Sequence, residues 1–315
     1  MLGTVLLCLA GWLAPAGMNA QGCCTAGTSA LGGSERGLLA VDAISVGVTY
    51  HLNRLDQGYN GTQRIDDPLQ RTATVEMLGI EMEYGLAEGV ALLMQLGTFS
   101  KSRVITVRAS SSDLPERIEF KGHGIGDLFT LVKYQLQAPT IPSPAEIALG
   151  AGAKLPIGRY RQEVHGTRLS LDLQSGTGAT DLLAWAYGGY SFLPAGMKVY
   201  GWILYRYPGT NFEGYRYGDE TLATLGVAKG VTDFFEVGLA GRVRTAERDF
   251  SSGRLLQSTG GVQFSFFPSA SYLTSNSLFR VFGQIPVSQN MYGIQLGLSY
   301  LLGIEVSYRF DLTSQ

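Results

Sequence analysis

The stretch Gly122-His-Gly-Ile-Gly-Asp-Leu-Phe-Thr-Leu-Val-Lys-Tyr-Gln-Leu136 decides the fold. From Leu128 onward the chain alternates. Leu128, Val132, Tyr134 and Leu136 fall on one face with Thr130 between them, while Asp127, Phe129, Leu131, Lys133 and Gln135 fall on the other. A period of two marks a strand with one apolar face. The segment Glu146-Ile-Ala-Leu-Gly-Ala-Gly-Ala-Lys-Leu-Pro-Ile-Gly158 behaves alike: Ile147, Leu149, Ala151, Ala153, Leu155 and Ile157 oppose Glu146, Ala148, Gly150, Gly152 and Lys154. A third segment, Gly176-Thr-Gly-Ala-Thr-Asp-Leu-Leu-Ala-Trp-Ala-Tyr187, has a glycine-rich lead-in, then Asp181, then a strand ending in aromatics. The apolar faces are expected to meet lipid, and the small or charged faces to line the inside of a barrel.

The whole chain fits that expectation. Its 315 residues include 42 glycines with no collagen period, and only 16% are charged. Such glycine content suits a β-rich chain with many turns and close approaches. A net charge of -2, with Lys and Arg scattered, gives no surface for nucleic acid. After residue 20 no apolar run reaches the ~20 residues of a transmembrane helix.

Residues 1–20 read as a signal peptide, apolar from Val5 to Leu13 and cleaved near Ala20, although Met1 to Thr4 hold no Lys or Arg. Residues 21–41 are small, polar and unpatterned, and are expected to be a flexible periplasmic leader or plug. The cysteines are Cys8 and the adjacent Cys23 and Cys24, which give neither a disulfide framework nor zinc spacing.

Residues 42–310 are expected to form the barrel, and 311–315 a C-terminal tail. Long polar connections, at about 53–71, 104–121 and 159–175, alternate with short turns over about twelve strands. The last strand alternates longest: Ile294, Leu296, Leu298, Tyr300, Leu302, Ile304, Val306, Tyr308 and Phe310 all fall on one face. A soluble strand averages about 5–6 residues, whereas this run suits a membrane strand of about 9–11 plus an extension. In lipid every backbone group needs an internal partner, so the sheet must close. The fold class is therefore all-β: a closed, antiparallel, up-and-down transmembrane β-barrel, with both termini at the periplasmic side of a bacterial outer membrane. A soluble β-sandwich would also alternate, but would not need the signal peptide, the loop rhythm or the aromatic strand ends.

The strings Gly124-Ile-Gly-Asp-Leu128, Lys133-Tyr134, Lys154-Leu-Pro-Ile-Gly158 and Gly176-Thr-Gly178 with Asp181-Leu-Leu183 resemble a family of outer-membrane transporters. That family is named for a phenol-degradation pathway and is grouped with the hydrophobic-compound channels. The motifs cover about residues 120–190, and the strand rhythm extends the likeness over most of the chain. The resemblance implies a β-barrel that passes small hydrophobic or aromatic molecules. It brings no catalytic residues.

The glycine pairs lack the lysine and the strand-to-helix context of a phosphate loop, so they read as tight backbone geometry. His51, His123 and His165 are far apart and form no metal set. No compact Ser/His/Asn arrangement supports an outer-membrane lipid hydrolase. No enzyme activity, cofactor or metal is expected. Glu81, Glu83, Asp127, Glu146, Asp181, Glu236 and Glu305 face inward with Lys133, Lys154, Lys198, Arg206, Arg242, Arg244, Arg280 and Arg309. Such a mixed lining predicts salt bridges rather than an ion-selective pore. Tyr84, Phe99, Tyr134, Tyr190, Phe192, Tyr205, Tyr207, Tyr300, Tyr308 and Phe310 suit interfacial girdles.

Gly150 and Gly152 leave space opposite Phe129, Leu131, Trp185 and Tyr187, which with Asp127, Lys133, Lys154 and Asp181 are the candidate lumen or path residues. Two function classes follow: a channel for small hydrophobic or aromatic solutes, or a closed structural or adhesive barrel whose external loops bind partners. The expected partners are outer-membrane lipid, such a solute, and the barrel-assembly machinery.

Overall fold

The computed structural model describes residues 37–67, 69–108, 115–164 and 166–312. The expected signal peptide, most of the leader, the three cysteines, His165 and the last three residues lie outside the described residues. In chain order the strands are β1 (Ala43–Gly61), β2 (Gln63–Ile65), β3 (Thr72–Ala87), β4 (Val90–Arg108), β5 (Pro115–Ile125), β6 (Leu128–Gln137), β7 (Ala145–Leu155), β8 (Glu163–Val164), β9 (Thr167–Arg168), β10 (Asp181–Phe192), β11 (Met197–Tyr207), β12 (Tyr215–Arg216), β13 (Glu220–Gly230), β14 (Phe235–Ala246), β15 (Phe250–Ser251), β16 (Arg254–Leu255), β17 (Gly261–Leu273) and β18 (Ser277–Asp311).

The wall runs β1-β3-β4-β6-β7-β10-β11-β13-β14-β17-β18, and β18 pairs back onto β1. Every seam is antiparallel, so the ring needs an even number of legs. The last element supplies two. Leu278 to Met291 pairs with β17, and Met291 to Asp311 pairs with β1, so the chain doubles back near Gly293, whose φ is 76°. The eleven elements of the ring thus make twelve legs. Connections of a few residues join β3 to β4, β10 to β11, β13 to β14 and β17 to β18 at one end. The long connections, with β8, β9, β12, β15 and β16, lie at the other.

The outward faces are apolar. Val48, Ile80, Val132, Leu149, Leu182, Leu225, Leu239, Leu302 and Ile304 are all exposed, far beyond the patch a water-soluble surface carries. Aromatics fringe this band. Tyr134, Tyr190, Phe192, Tyr272, Tyr308 and Phe310 lie toward the short turns, and Tyr50, Tyr205, Tyr207 and Tyr300 toward the long loops. These are the two interfacial girdles of a membrane barrel. Among the described residues no helix is long and apolar enough to cross a membrane; the strands cross instead.

Four sequence expectations change. The polar residues 53–61 are not a loop but the outer part of β1, paired to β3 and β18. Likewise β4 runs on to Arg108 and pairs with β5 through the segment expected as a loop. Beyond the bilayer the outer face of a strand meets water instead of lipid, so pairing continues without an apolar outer row. Leu296 and Leu298 do not face lipid: they are 2% and 8% exposed and pack with Leu55 and Ala73. The cause is a bulge on both sides of the β1–β18 seam. The register jumps between Arg54 and Leu55 and again between Leu55 and Gln57, leaving Asp56 and Ser299 unpaired in the ladder. A one-residue slip turns the following side chains to the other face. Finally, Phe99 belongs to the inner face, where its ring would meet a Cβ on Gly126.

Candidate functional site

Side chains fill the lumen in three layers. Toward the long loops, one charged residue from each of six neighbouring positions builds a ladder of alternating sign. Lys154 at the end of β7 lies 3.1 Å from Asp127 and 2.9 Å from Asp181, the first residue of β10. Arg206 of β11 reaches Asp181 at 3.4 Å and Glu220, the first residue of β13, at 2.7 Å. Arg244 of β14 closes the row on Glu220 at 2.5 Å. All six side chains are buried or nearly so. Buried charges survive only when paired and hydrogen-bonded, and here each has a partner on an adjacent strand.

The connection from Pro156 to Thr180 is tied down over this ladder. Asp127 accepts from Gly158 N–H at 3.1 Å, Thr177 N–H at 3.0 Å and the Thr177 hydroxyl at 2.8 Å. Lys154 also donates to Thr177. Lys101 donates to the Gln174 carbonyl at 2.7 Å, and Arg103 pairs with Asp172. The motif glycines gain a physical role here. A Cβ on Gly158 would stand 2.6 Å from the Gly126 carbonyl carbon, and one on Gly176 2.6 Å from that of Gly158. Three backbone segments are thus layered where no side chain fits, and Asp127 bridges them. In the loops above, burial pushes the Asp249 carboxyl up, although it accepts from Tyr215 OH and from Gly218 N–H at 2.8 Å. Burial, with Asp249 next in weight, also raises Tyr215 and Tyr217.

A second set of ion pairs lies toward the short turns: Lys133 to Glu83 at 3.1 Å, Lys198 to Glu146 at 3.2 Å and Arg280 to Glu305 at 3.0 Å. Leu39, ahead of β1, donates its N–H to Glu83 at 3.3 Å, and Leu38 packs against the buried apolar cluster.

Between the two charged layers the side of the lumen formed by β4, β6, β7, β10, β11 and β13 is apolar, while His51, Asn53, Arg242, Ser265 and Gln284 line the opposite side. Leu93, Leu131, Ala148, Leu183, Trp185, Tyr187, Trp202, Leu204 and Leu222 form one buried cluster, with Phe129 packed against it. Trp185 and Tyr187 stack with ring centres 5.9 Å apart. Cations lie over the rings: Lys133 is 5.1 Å from Trp185, and Arg242 is 5.3 Å from Trp202 and 4.1 Å from Phe267.

The candidate residues therefore separate by layer. Asp127, Lys154 and Asp181 join the outer ladder, and Lys133 the inner ion pairs. Phe129, Leu131, Trp185 and Tyr187 belong to the apolar layer. Gly150 lies beneath that layer: a Cβ there would stand 3.1 Å from Trp185 Cε3 and 3.3 Å from Leu131 Cγ. At Gly152 a Cβ would strike the Thr130 carbonyl, so close backbone approach requires this glycine. Trp202, Leu204 and Leu222 were not among the candidates. The signal for Trp202 and Leu204 is present in the inward alternation Lys198, Tyr200, Trp202, Leu204, Arg206, and that for Leu222 in Glu220, Leu222, Thr224.

A groove of about 700 Å³ opens on the wall where β5 gives way to β6. Tyr50, Leu78, Thr98, His123 and Ile125 line it from the outward face, and Phe99 and Gly124 from the inward face. Ile157 and Arg159 complete the rim. The break at Gly126 and Asp127 thus brings lipid-side and lumen-side residues to one opening.

No family model matches the chain, and no curated protein matches it. Solved structures do. An outer membrane channel from Pseudomonas putida F1 superposes with a TM-score of 0.66 at 15% identity, over 89% of this chain and 98% of that one. The translocator domain of an autotransporter from Neisseria meningitidis gives 0.47 at 11% identity, over 86% and 90%. A toluene transporter from Ralstonia pickettii gives 0.41 at 8% identity, over 86% and 90%. The fold rests on the first of these and on the closed ring with its lipid-facing wall: the chain is an outer-membrane β-barrel.

Proposed function

We propose that the barrel carries small hydrophobic or aromatic molecules across the outer membrane. The observation that supports this best is the apolar layer around Trp185, Tyr187 and Trp202 inside the lumen. A porin for polar solutes has a polar, water-filled interior; a lumen with one side lined by leucine and indole instead favours an apolar guest there. On this reading the wall groove admits solute past Phe99 toward Phe129, Leu131, Trp185 and Tyr187, along the wall made thin by Gly150. Asp127, Lys133, Lys154 and Asp181 hold the surrounding strands in register. We further read the chain as a relative of the transporters named for a phenol-degradation pathway, on the glycine and aspartate motifs layered at Gly126, Gly158 and Gly176. Residues 1–20 would then be removed on export and the barrel inserted by the barrel-assembly machinery.

The test is uptake of a panel of aromatic compounds by liposomes holding the purified barrel. Gly150→Trp drives a second ring against Trp185 and Leu131, which a Cβ there would already approach to 3.1 and 3.3 Å, and should reduce uptake while heat-dependent gel mobility shows a folded barrel. Gly152→Trp is unsuitable, because its Cβ would force neighbouring backbones away from each other. Normal uptake by folded Gly150→Trp would refute the path along Gly150, and no uptake by the parent barrel would favour a closed structural barrel whose loops bind partners.

A further inference from the structure

We propose that the lumen contains a binding site for an apolar, ring-bearing solute that carries an uncharged oxygen acceptor, held by the indole N–H groups of Trp185 and Trp202. The proposal rests on the transport reading above and names the chemical class of the solute. In the β10–β11 ladder Tyr187 stands opposite Trp202 and Trp185 opposite Leu204, so the two indoles are diagonal neighbours on the inner face. Diagonal positions on a sheet lie about 7–8 Å apart, a span of the order of one ring-bearing molecule. The side chains are 3% and 5% exposed, and each Nε1 is buried with no acceptor among the described residues.

Indole is a donor only, so each group needs an oxygen or nitrogen acceptor. A buried donor without one costs free energy, and a site built on such donors rejects an analogue that lacks the acceptor. At Trp185 the neighbouring charge is already neutralised, which argues for a neutral guest there. The ammonium over Trp185 is that of Lys133, already ion-paired to Glu83 at 3.1 Å. The guanidinium over Trp202 is that of Arg242, which donates to Thr224 at 3.1 Å. Leu131, Leu183, Leu204 and Leu222 supply apolar walls for the rest of the molecule.

Acetophenone and ethylbenzene separate this site from a merely greasy lumen, because they share a ring and a two-carbon substituent and differ by one carbonyl oxygen. The barrel in liposomes should take up acetophenone in preference, by roughly tenfold for one hydrogen bond of ordinary strength. Trp185→Phe and Trp202→Phe keep a ring and remove the donor, so each should bring the uptake ratio toward one. A purely structural role would lower both uptakes and leave the ratio. The chain's three tryptophans are Trp12, Trp185 and Trp202, and Trp12 falls in the expected signal peptide. The isotope-labelled indole N–H resonances of the parent barrel in detergent therefore report on this site directly. Acetophenone should move them and ethylbenzene should not. Uptake of both compounds at a ratio unaffected by the variants, with unmoved resonances, overturns the site and leaves transport standing. Moved resonances with no uptake of any compound would uphold the site and overturn transport.

Discussion

Replacing Lys154 with Met tests the outer ionic ladder at its most connected member. The Lys154 side chain is 2% exposed and lies 3.1 Å from Asp127 and 2.9 Å from Asp181. Removing one partner from a buried ion pair costs about 3–5 kcal/mol, because the opposite charge is left without compensation. Two features place this case near the lower end. Asp181 keeps Arg206 at 3.4 Å and the Gly209 N–H at 3.3 Å, and Asp127 keeps its three bonds from Gly158 and Thr177. A loss of about 3 kcal/mol is roughly a hundredfold in the unfolding equilibrium. With a urea slope of about 1–3 kcal/mol per molar, the midpoint falls by about 1 M or more. The assay is urea unfolding in lipid vesicles, followed by the fluorescence of Trp185 and Trp202. Adding Asp127→Asn to the variant should recover some of the loss, since it removes one stranded carboxylate, and the double-mutant cycle measures that coupling. A Lys154→Met barrel within about 0.5 kcal/mol of the parent would refute the ladder as a stabilising element.

Leu302 is outward and exposed, so Leu302→Arg should cost about 2–4 kcal/mol, varying with acyl-chain length in vesicle unfolding. Leu298→Ala should cost about 2–4 kcal/mol by cavity formation at Leu55 and Leu296, whatever the bilayer thickness; a matching lipid dependence at both positions would remove the seam bulge. Glu213 is held below the usual carboxylate range, first by its hydrogen bond from Arg168 at 2.6 Å and then by Arg161 at 2.9 Å. A lowered folded value means the folded loops bind fewer protons there, so this contribution is present above the ordinary glutamate range and lost as pH falls through the folded value. Proteolysis near Arg161 and Arg168 should therefore quicken as pH falls from about 5 toward 3, and Glu213→Gln should abolish that dependence; an unchanged profile in the variant would rule the latch out.

Alternation in the sequence placed most of the wall correctly, because lipid on one side and packed side chains on the other both enforce a period of two. In β6 and β7, Val132, Tyr134 and Leu149 face out while Lys133, Glu146 and Lys154 are buried, as their spacing predicts. The same logic failed where one of those environments was missing. The ends of β1 and β4 rise beyond the bilayer, so their polar residues resemble a loop. At Ser299 the failure had another cause. Leucine is acceptable on either face of this barrel, so nothing local marks the bulge that turns Leu298 inward. For the site, the charges of the ladder were legible one by one as inward residues. Their alternation of sign across β7, β10, β11, β13 and β14 emerges only when the register sets each beside its neighbour.

The seam between β1 and β18 carries a consequence for how the barrel forms. Asp56 and Ser299, the two bulged residues, are 243 positions apart, yet the Asp56 N–H donates to the Ser299 hydroxyl at 3.3 Å and that hydroxyl donates back to the Asp56 carboxylate. Every other wall seam joins strands close in the chain. This seam alone needs nearly the whole sequence to be present, so its loop-closure cost falls on a single late event. Until then the β1 edge and the final leg carry unpaired backbone groups that lipid cannot satisfy. The paired bulge also acts as a key. Sliding the last leg by one residue would put Tyr300 into the lumen and Leu301 into lipid, and would separate Asp56 from Ser299. Closure is therefore both the last step of assembly and the one that checks its alignment.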